Sequence, residues 1–136
     1  MKIWYGYGSE HSMNLVMIGR FKDSESAHRT KEIIEQLTKQ LEADVDAGLI
    51  EVGEGANRYT EDMLSTLTRV GVHIIGPAEV EQFGYDAEVN VDKDKLVITT
   101  DESDVSAFLK LLLERGARVE VYSAHDYPRT GYGRGE

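Results

Sequence analysis

The sequence predicts an α+β fold in which an antiparallel or mixed sheet carries helices on one face. Short runs rich in β-branched and aliphatic side chains, such as 14–21 and 96–100, are typical of strands. Longer segments between such runs repeat apolar residues every three or four positions, as an amphipathic helix does. A strand, a helix and a strand in succession favour a right-handed crossover between parallel strands.

The length and composition predict one folded domain. The chain has 136 residues, of which 40% are hydrophobic and 29% are charged, proportions that are ordinary for a globular protein. A chain of this length can bury one core. We therefore expect a single domain over residues 1–124, followed by a tail over 125–136 that is rich in Gly, Tyr and Arg.

The chain begins with a predicted β-hairpin. Its strands are 2–7 and 14–21, and turn-forming residues fill the loop over 8–13. The first helix is predicted to begin after Asp23, whose side chain can cap it, and to end near Gly48. Its apolar stripe consists of Ala27, Thr30, Ile34, Leu37, Leu41 and Val45.

The middle of the chain is predicted to combine short strands with a second helix. Residues 49–52 alternate like a strand, and the helix follows between Thr60, which can cap it, and Gly71. Residues 72–75 and 80–91 are then predicted as strands, the first stopped by a Gly-Pro pair and the second interrupted by a glycine.

The last third of the sequence predicts a turn, a strand, a helix and a strand. Residues 92–94 form the turn into the strand 96–100. The third helix is predicted to be capped by Asp101 and to end at Gly116, and 118–123 alternate polar with apolar residues as the last strand.

This order of elements resembles that of ferredoxin-like folds. A strand pair followed by a helix occurs at 2–46 and again at 87–115, and a helix, a glycine and a strand occur at 60–75 and 103–123. These echoes predict a sandwich with internal pseudo-duplication. The resemblance is one of element order alone, so it implies no function.

The charge and the residue types exclude several function classes. A formal net charge of −10 repels phosphate backbones, so nucleic-acid binding is not expected. The chain has no cysteine, which suits a reducing compartment. It shows no secretory signal pattern and no apolar run as long as a membrane span. We therefore expect a cytoplasmic protein without membrane contact.

Two pairs of residues could perform chemistry. Glu10 and His11, in the loop Ser9–Ser12, place a carboxylate beside an imidazole, which suits acid–base catalysis. His125 and Asp126 follow the last predicted strand. If that strand lies beside the first hairpin, the four residues could form a catalytic group or a zinc or iron site. The alternative is a polar hairpin loop whose side chains bond to exposed backbone groups.

Other motifs do not carry a site. Acidic residues near 90–101 have spacing close to that of a calcium loop, but Lys95 occupies the position that requires glycine. The glycine pairs at 6–8 and 53–55 lack the spacing of nucleotide-binding loops. His28 and His73 are interpreted as a solvent-facing and a packed residue. The cofactor, if any, is unknown from the sequence, and no metal ligand set is assigned.

Aromatic and arginine residues cluster at the two ends of the chain, and such side chains are enriched at protein interfaces. Alternatively they pair across strands within one chain, or stack on single-stranded nucleic acid. The residues predicted to bind a partner are Trp4, Tyr5, Tyr7, Tyr127, Arg129, Tyr132 and Arg134.

Two functions follow from these observations. The first is an acidic interaction or regulatory module that binds a protein partner or a second copy of itself as a homodimer. The second is a small hydrolase or metal-dependent enzyme that uses the Ser9–Ser12 loop together with His125 and Asp126.

Overall fold

A computed structural model of the chain describes residues 15–51, 53, 56–85, 87–100 and 105–123. In this part of the chain, strands and helices confirm the predicted α+β class. The strands are β1 (Leu15–Arg20), β2 (Ala87–Asp92), β3 (Lys95–Thr100) and β4 (Arg118–Ser123). The helices are α1 (Ser24–Asp46), α2 (Glu61–Val70) and α3 (Ser106–Glu114), with a 3-10 helix over Pro77–Gly84.

The strands form one antiparallel sheet in the order β2-β3-β1-β4. β1 and β2 are both antiparallel to β3, so the connection through α1 joins two strands that run in the same direction. β3 and β4 are both antiparallel to β1, so the connection through α3 does the same. With α2 and the 3-10 helix set aside, the element order is β-α-β-β-α-β. Residues 2–7 of the predicted hairpin lie outside the described residues. Both edges of β1 are already paired with β3 and β4, so Leu15–Arg20 has no free edge for a hairpin partner.

The main core lies between the sheet and the helices. Alternate residues of the sheet, such as Met17 and Ile98, belong to the same buried cluster as Leu37 of α1 and Phe108 of α3. Gly19 allows α3 to approach, because a Cβ atom there would lie 3.0 Å from a methyl carbon of Leu112. The helices therefore cover one face of the sheet, which we refer to as the helix-covered face.

The predicted helix ends are confirmed for α1 and α2. The Asp23 carboxylate accepts a hydrogen bond of 2.8 Å from the Ser26 N–H, and the hydrogen bonds from Ser26 hold the pKa of Asp23 below its ordinary value. Thr60 Oγ1 accepts from the Met63 N–H at 3.0 Å. Gly71 ends α2 in the left-handed region at φ 75°, where the absence of a Cβ atom removes steric strain.

Three predicted strands are wrong in whole or in part. Residues 72–75 form no strand, because the Glu114 carboxylate accepts from the backbone N–H groups of His73 and Ile74 in place of a neighbouring strand. Residues 80–84 belong to the 3-10 helix, and only 87–91 of the predicted strand 80–91 lie in a strand, β2. Residues 49–51 are irregular.

The helix α3 begins later than predicted. Its N-cap is Val105, while the predicted cap Asp101 lies outside the described residues. β2 and β3 form a hairpin in which Asp92 pairs with Lys95, in agreement with the turn predicted at 92–94. Among the described helices, none combines the length and the apolar character that crossing a bilayer requires.

Candidate functional site

The residues predicted from the sequence to carry function fall outside the described part of the chain. These are Glu10, His11, His125 and Asp126 for catalysis, and Trp4, Tyr5, Tyr7, Tyr127, Arg129, Tyr132 and Arg134 for partner binding. Within the described ranges, no three or more His, Asp or Glu side chains form a group that could hold a metal ion.

The sheet nevertheless fixes where the two predicted groups are attached. β4 lies directly beside β1, and Leu15 is paired with Ser123. His11 precedes Leu15 by four residues and His125 follows Ser123 by two, which correspond to about 14 and about 7 Å of fully extended chain. β4 therefore lies beside β1, the described strand of the predicted hairpin, and the two predicted groups belong to segments that leave the sheet from paired residues.

The two histidines in the described part of the chain lie apart from any such group. His28 is exposed on α1, as expected from its position outside the apolar stripe. His73 is exposed as well, contrary to the prediction that it is packed in a strand. Its backbone N–H is held by Glu114.

The face of the sheet opposite the helices carries a second apolar cluster. Val16 and Ile18 of β1 are buried, and Val97 and Tyr122 pack against them. Residues that lie directly opposite one another share a face, and Val16 pairs with Tyr122 while Ile18 pairs with Val97. No residue of a described helix belongs to this cluster. We refer to this face, centred on Val16, Ile18, Val97 and Tyr122, as the helix-free face.

A row of three cations crosses one end of the helix-free face. Arg20 pairs with Lys95 on one side and with Arg118 on the other. Arg20 and Arg118 are exposed, and Lys95 is half-buried. Like charges directly opposite each other destabilise a sheet. Asp92 of β2 pairs with Lys95 at one end of this row and offsets part of that cost within the chain.

The β2 edge of the same face is acidic. Glu88, Asn90 and Asp92 alternate along β2 on this face and are all exposed. The helix-free face therefore has an apolar centre, a basic row at one end and an acidic column along one edge, and Glu120 of β4, opposite Ile18, adds an exposed carboxylate beside Arg118. Such a pattern is complementary to itself when two copies meet with the basic row of one facing the acidic column of the other.

A cluster of polar side chains ties the 3-10 helix to α3. Glu79 accepts from Ser106 Oγ at 2.7 Å, from Lys110 Nζ at 2.9 Å and from the Gly76 N–H at 2.9 Å. Burial alone would raise the pKa of Glu79, but these hydrogen bonds and the Lys110 charge hold it below its ordinary value. Gln82 accepts from the Ala107 N–H at 2.7 Å and so caps α3.

This cluster is arranged for structure rather than for catalysis. Ser106 donates to a carboxylate whose lowered pKa makes it a weak base, so the hydroxyl is not activated as a nucleophile. The Lys110 ammonium is paired with the same carboxylate. What the cluster does is satisfy the first turn of α3, whose N-cap residue offers no side-chain acceptor.

A buried carboxylate joins α1 to α2. Asp44 is 2% exposed, and its two oxygens accept from Gln40 Nε2 at 3.0 Å and from Thr60 Oγ1 at 2.7 Å. Because Thr60 is also the N-cap of α2, the Asp44 charge lies near the positive end of that helix. Both oxygens are satisfied, so this group fixes the helix pair and offers nothing to a ligand.

An open groove runs between α1 and the edge strand β2. Its volume is about 710 Å³, and Ile34, Ala87 and Val89 form its apolar floor. Charged side chains of α1 border it, among them Lys31 and Lys39.

Sequence reasoning missed the basic row and the α1–β2 groove. Arg20, Lys95 and Arg118 are far apart in the sequence, and only the pairing of β1 with both β3 and β4 brings them together. The alternation of side chains along each predicted strand could have indicated the basic row, because it shows which residues share a face of the sheet once the strand order is known.

Comparison with known proteins identifies a family for the chain. A family model described as "Family of unknown function (DUF6375)" matches residues 1–134. No curated protein and no solved structure matches the chain significantly.

Proposed function

The chain belongs to the family of unknown function DUF6375, and because that membership brings no activity with it, we propose from the fold that the protein is a self-associating interaction module. Its contact surface is the helix-free face. The observation that carries this proposal is the apolar cluster of Val16, Ile18, Val97 and Tyr122 on a face to which no described helix contributes a residue. Val16 and Ile18 are buried, and Val97 and Tyr122 are half-buried, so the surface that a second copy can reach consists of Val97, Tyr122 and the charged side chains around them, a mixture that is typical of a protein interface.

The charges around the cluster favour a second copy as the partner. The basic row of Arg20, Lys95 and Arg118 and the acidic residues Glu88 and Asp92 lie on the same face. A two-fold axis repeats the same patch on both subunits. Rotation of one copy over the other can therefore bring each basic row towards an acidic column while the apolar centres meet.

In this proposal the predicted aromatic residues extend the contact surface. Residues 1–14 and 124–136 join the sheet at Leu15 and Ser123, which are paired, and the neighbouring pair is Val16 with Tyr122. Trp4, Tyr5, Tyr7, Tyr127 and Tyr132 thus belong to segments attached beside the apolar centre. The proposal also includes a ferredoxin-like arrangement, supported by the β-α-β-β-α-β order, and a cytoplasmic location, supported by the lack of cysteine.

Mass in solution tests the proposal. One chain is 15.2 kDa, so light scattering coupled to size exclusion should give a dimer mass for the natural sequence. Tyr122→Lys places a charge at the centre of the contact and should raise the dimer dissociation constant by about tenfold or more. The matched control is Leu64→Lys, because Leu64 is half exposed on α2, outside this face.

Two results would overturn the proposal. One is a monomer mass for the natural sequence at concentrations of tens of micromolar, which would make any self-association weaker than about −7 kcal/mol. The other is an equal effect of Tyr122→Lys and Leu64→Lys. The double variant with Tyr127→Ala and Tyr132→Ala tests whether the tail takes part in the contact. If this variant also loses the dimer, the tail belongs to the contact together with the helix-free face.

A second candidate function is supported by the pairing of β1 with β4. Because Leu15 and Ser123 are partners, the segments that carry Glu10 with His11 and His125 with Asp126 start from one end of the sheet. Two imidazoles and two carboxylates suit zinc or iron, and such a site would serve a hydrolase or another metal-dependent enzyme.

Elemental analysis of the purified protein tests this second candidate. A metal site built on these residues should give about one metal ion per chain, and His11→Ala should lower that content by about tenfold or more. His28→Ala is the matched control, because His28 is exposed on α1. Metal content that is absent, or equally lowered by both variants, would contradict the site.

A further inference from the structure

The outer edge of β2 offers a strand-pairing site that is separate from the helix-free face. Among the described strands, β2 pairs with β3 alone. The backbone N–H and C=O groups along the other side of Ala87–Asp92 therefore point away from the sheet. An edge strand of this kind can accept an extended peptide as one more strand.

The α1–β2 groove lies directly beside this edge. Its floor is apolar, formed by Ile34 of α1 and by Ala87 and Val89 of β2. Ala87 and Val89 are only partly buried, although they face the core side of the sheet. A strand added beside β2 would direct alternate side chains into this groove, and the space of about 710 Å³ has room for small apolar ones.

The charges around the edge favour a basic partner. Exposed carboxylates border it on both sides, whereas the nearby cations are Lys31 and Lys39, and Lys31 already lies 4.0 Å from Glu35. The carboxylates are Glu32, Glu35 and Glu42 of α1 and Glu88 and Asp92 of β2.

The same charges disfavour a second copy at this edge. If β2 of one chain paired antiparallel with β2 of another around Asn90, Glu88 would lie opposite Asp92 twice. Like charges directly opposite each other destabilise strand pairing. The edge is therefore suited to a different chain, whose residues beside Glu88 and Asp92 are Lys or Arg.

We propose that the β2 edge and the α1–β2 groove bind an extended basic segment of a partner protein by strand addition. The segment alternates small apolar residues, which enter the groove, with Lys or Arg, which lie beside Glu88 and Asp92. This surface shares Glu88 and Asp92 with the face proposed for self-association, but the backbone edge of β2 and the groove lie outside that face, so peptide binding and dimerisation are tested by separate measurements.

Two synthetic peptides test the chemistry of the partner. Each has about seven residues, enough to pair along a six-residue strand, and they alternate Val with Lys or Val with Glu. Fluorescence anisotropy with the full chain should show binding of the Val/Lys peptide, weakened by added salt, and affinity lower by about tenfold or more for the Val/Glu peptide.

Matched variants locate the site on the molecule. Glu88→Lys should weaken binding of the Val/Lys peptide by about fivefold. Glu120→Lys is the control, because Glu120 is exposed on β4, the opposite edge strand, and it should leave the affinity unchanged. Hydrogen exchange of the natural sequence provides a readout that needs no variant, with protection by the peptide expected at 87–92.

The proposal is overturned by any of three results. These are a lack of binding by the Val/Lys peptide, equal binding of the two peptides, and protection located on β4 in place of β2. If residues of the chain itself occupied the β2 edge, the peptide would not bind, and that outcome too would count against a partner segment.

Discussion

The two faces of the sheet are built from alternate residues of the same four strands, but they differ in what lies against them. On the helix-covered face, Met17 and Ile98 join one large cluster with residues of α1 and α3. On the helix-free face, Val16 and Ile18 form a small cluster with two half-buried neighbours. The same strands thus serve stability on one side and, in our proposal, recognition on the other.

The charges follow the same division. Between the helices, the buried Asp44 carboxylate is paired with Gln40 and Thr60. On the helix-free face, Arg20 lies between two further cations. In our proposal this row, which Asp92 continues beyond Lys95, contributes to binding.

The largest expected difference between the faces is in their contribution to stability. Phe108 is 2% exposed and packs edge-on against Phe83 with ring centroids 5.2 Å apart. Phe108→Ala should lower the free energy of unfolding by about 3–5 kcal/mol. Tyr122→Ala on the helix-free face should cost less than half of that in a monomer, because Tyr122 is only half-buried.

Urea unfolding of both variants at low protein concentration measures the two losses of stability. The mass of each folded variant in solution then shows which variant still forms a dimer. We expect Phe108→Ala to keep the dimer where it is folded and Tyr122→Ala to weaken it. If Phe108→Ala and Tyr122→Ala lost the same stability and had the same mass in solution, the two faces would not differ in function.

A smaller effect is expected for the polar cluster on the helix side. The pKa of Glu79 is held below its ordinary value of 4.5 in the folded protein. The carboxylate therefore stabilises the fold above that pH, and this contribution is lost as the pH falls through the lower folded value. Glu79→Gln should lower stability near neutral pH by about 1 kcal/mol, a value that allows for solvent screening.

The pH dependence separates charge from shape in this cluster. The difference between the natural protein and Glu79→Gln should shrink as the pH is lowered below the ordinary value for a glutamate. Glu42→Gln, at an exposed position of α1, should show no such trend. A gap that stays constant with pH would mean that Glu79 acts through packing alone.

The elements that sequence reasoning identified correctly are those with local signals. The apolar stripe of α1, with Asp23 at its start, and the Thr60 and Gly71 ends of α2 depend on residues within one helix. The strand predicted at 72–75 failed because its backbone N–H groups bond to Glu114, about 40 residues away in the chain. No local pattern reports such a partner.

The candidate surface depends even more on distant pairing. Arg20 is adjacent in space to Arg118 because β4 returns beside β1, and the sequence leaves the order of strands open. The predicted catalytic and aromatic residues lie outside the described residues, so Glu10, His11 and their proposed partners stay predictions. What the fold adds to them is the common point of attachment.

The pairing of Leu15 with Ser123 has a topological consequence. Directly paired residues of antiparallel strands have Cα atoms about 4.5–5.5 Å apart, so the path from β1 to β4 is almost a closed ring. A short turn could join these two positions covalently, and the ring could be opened in the exposed stretch at 47–49 after α1. The resulting circular permutant, which lacks residues 1–14 and 124–136, would keep the three strand pairs of the described residues, while α1 and α2 became the terminal helices.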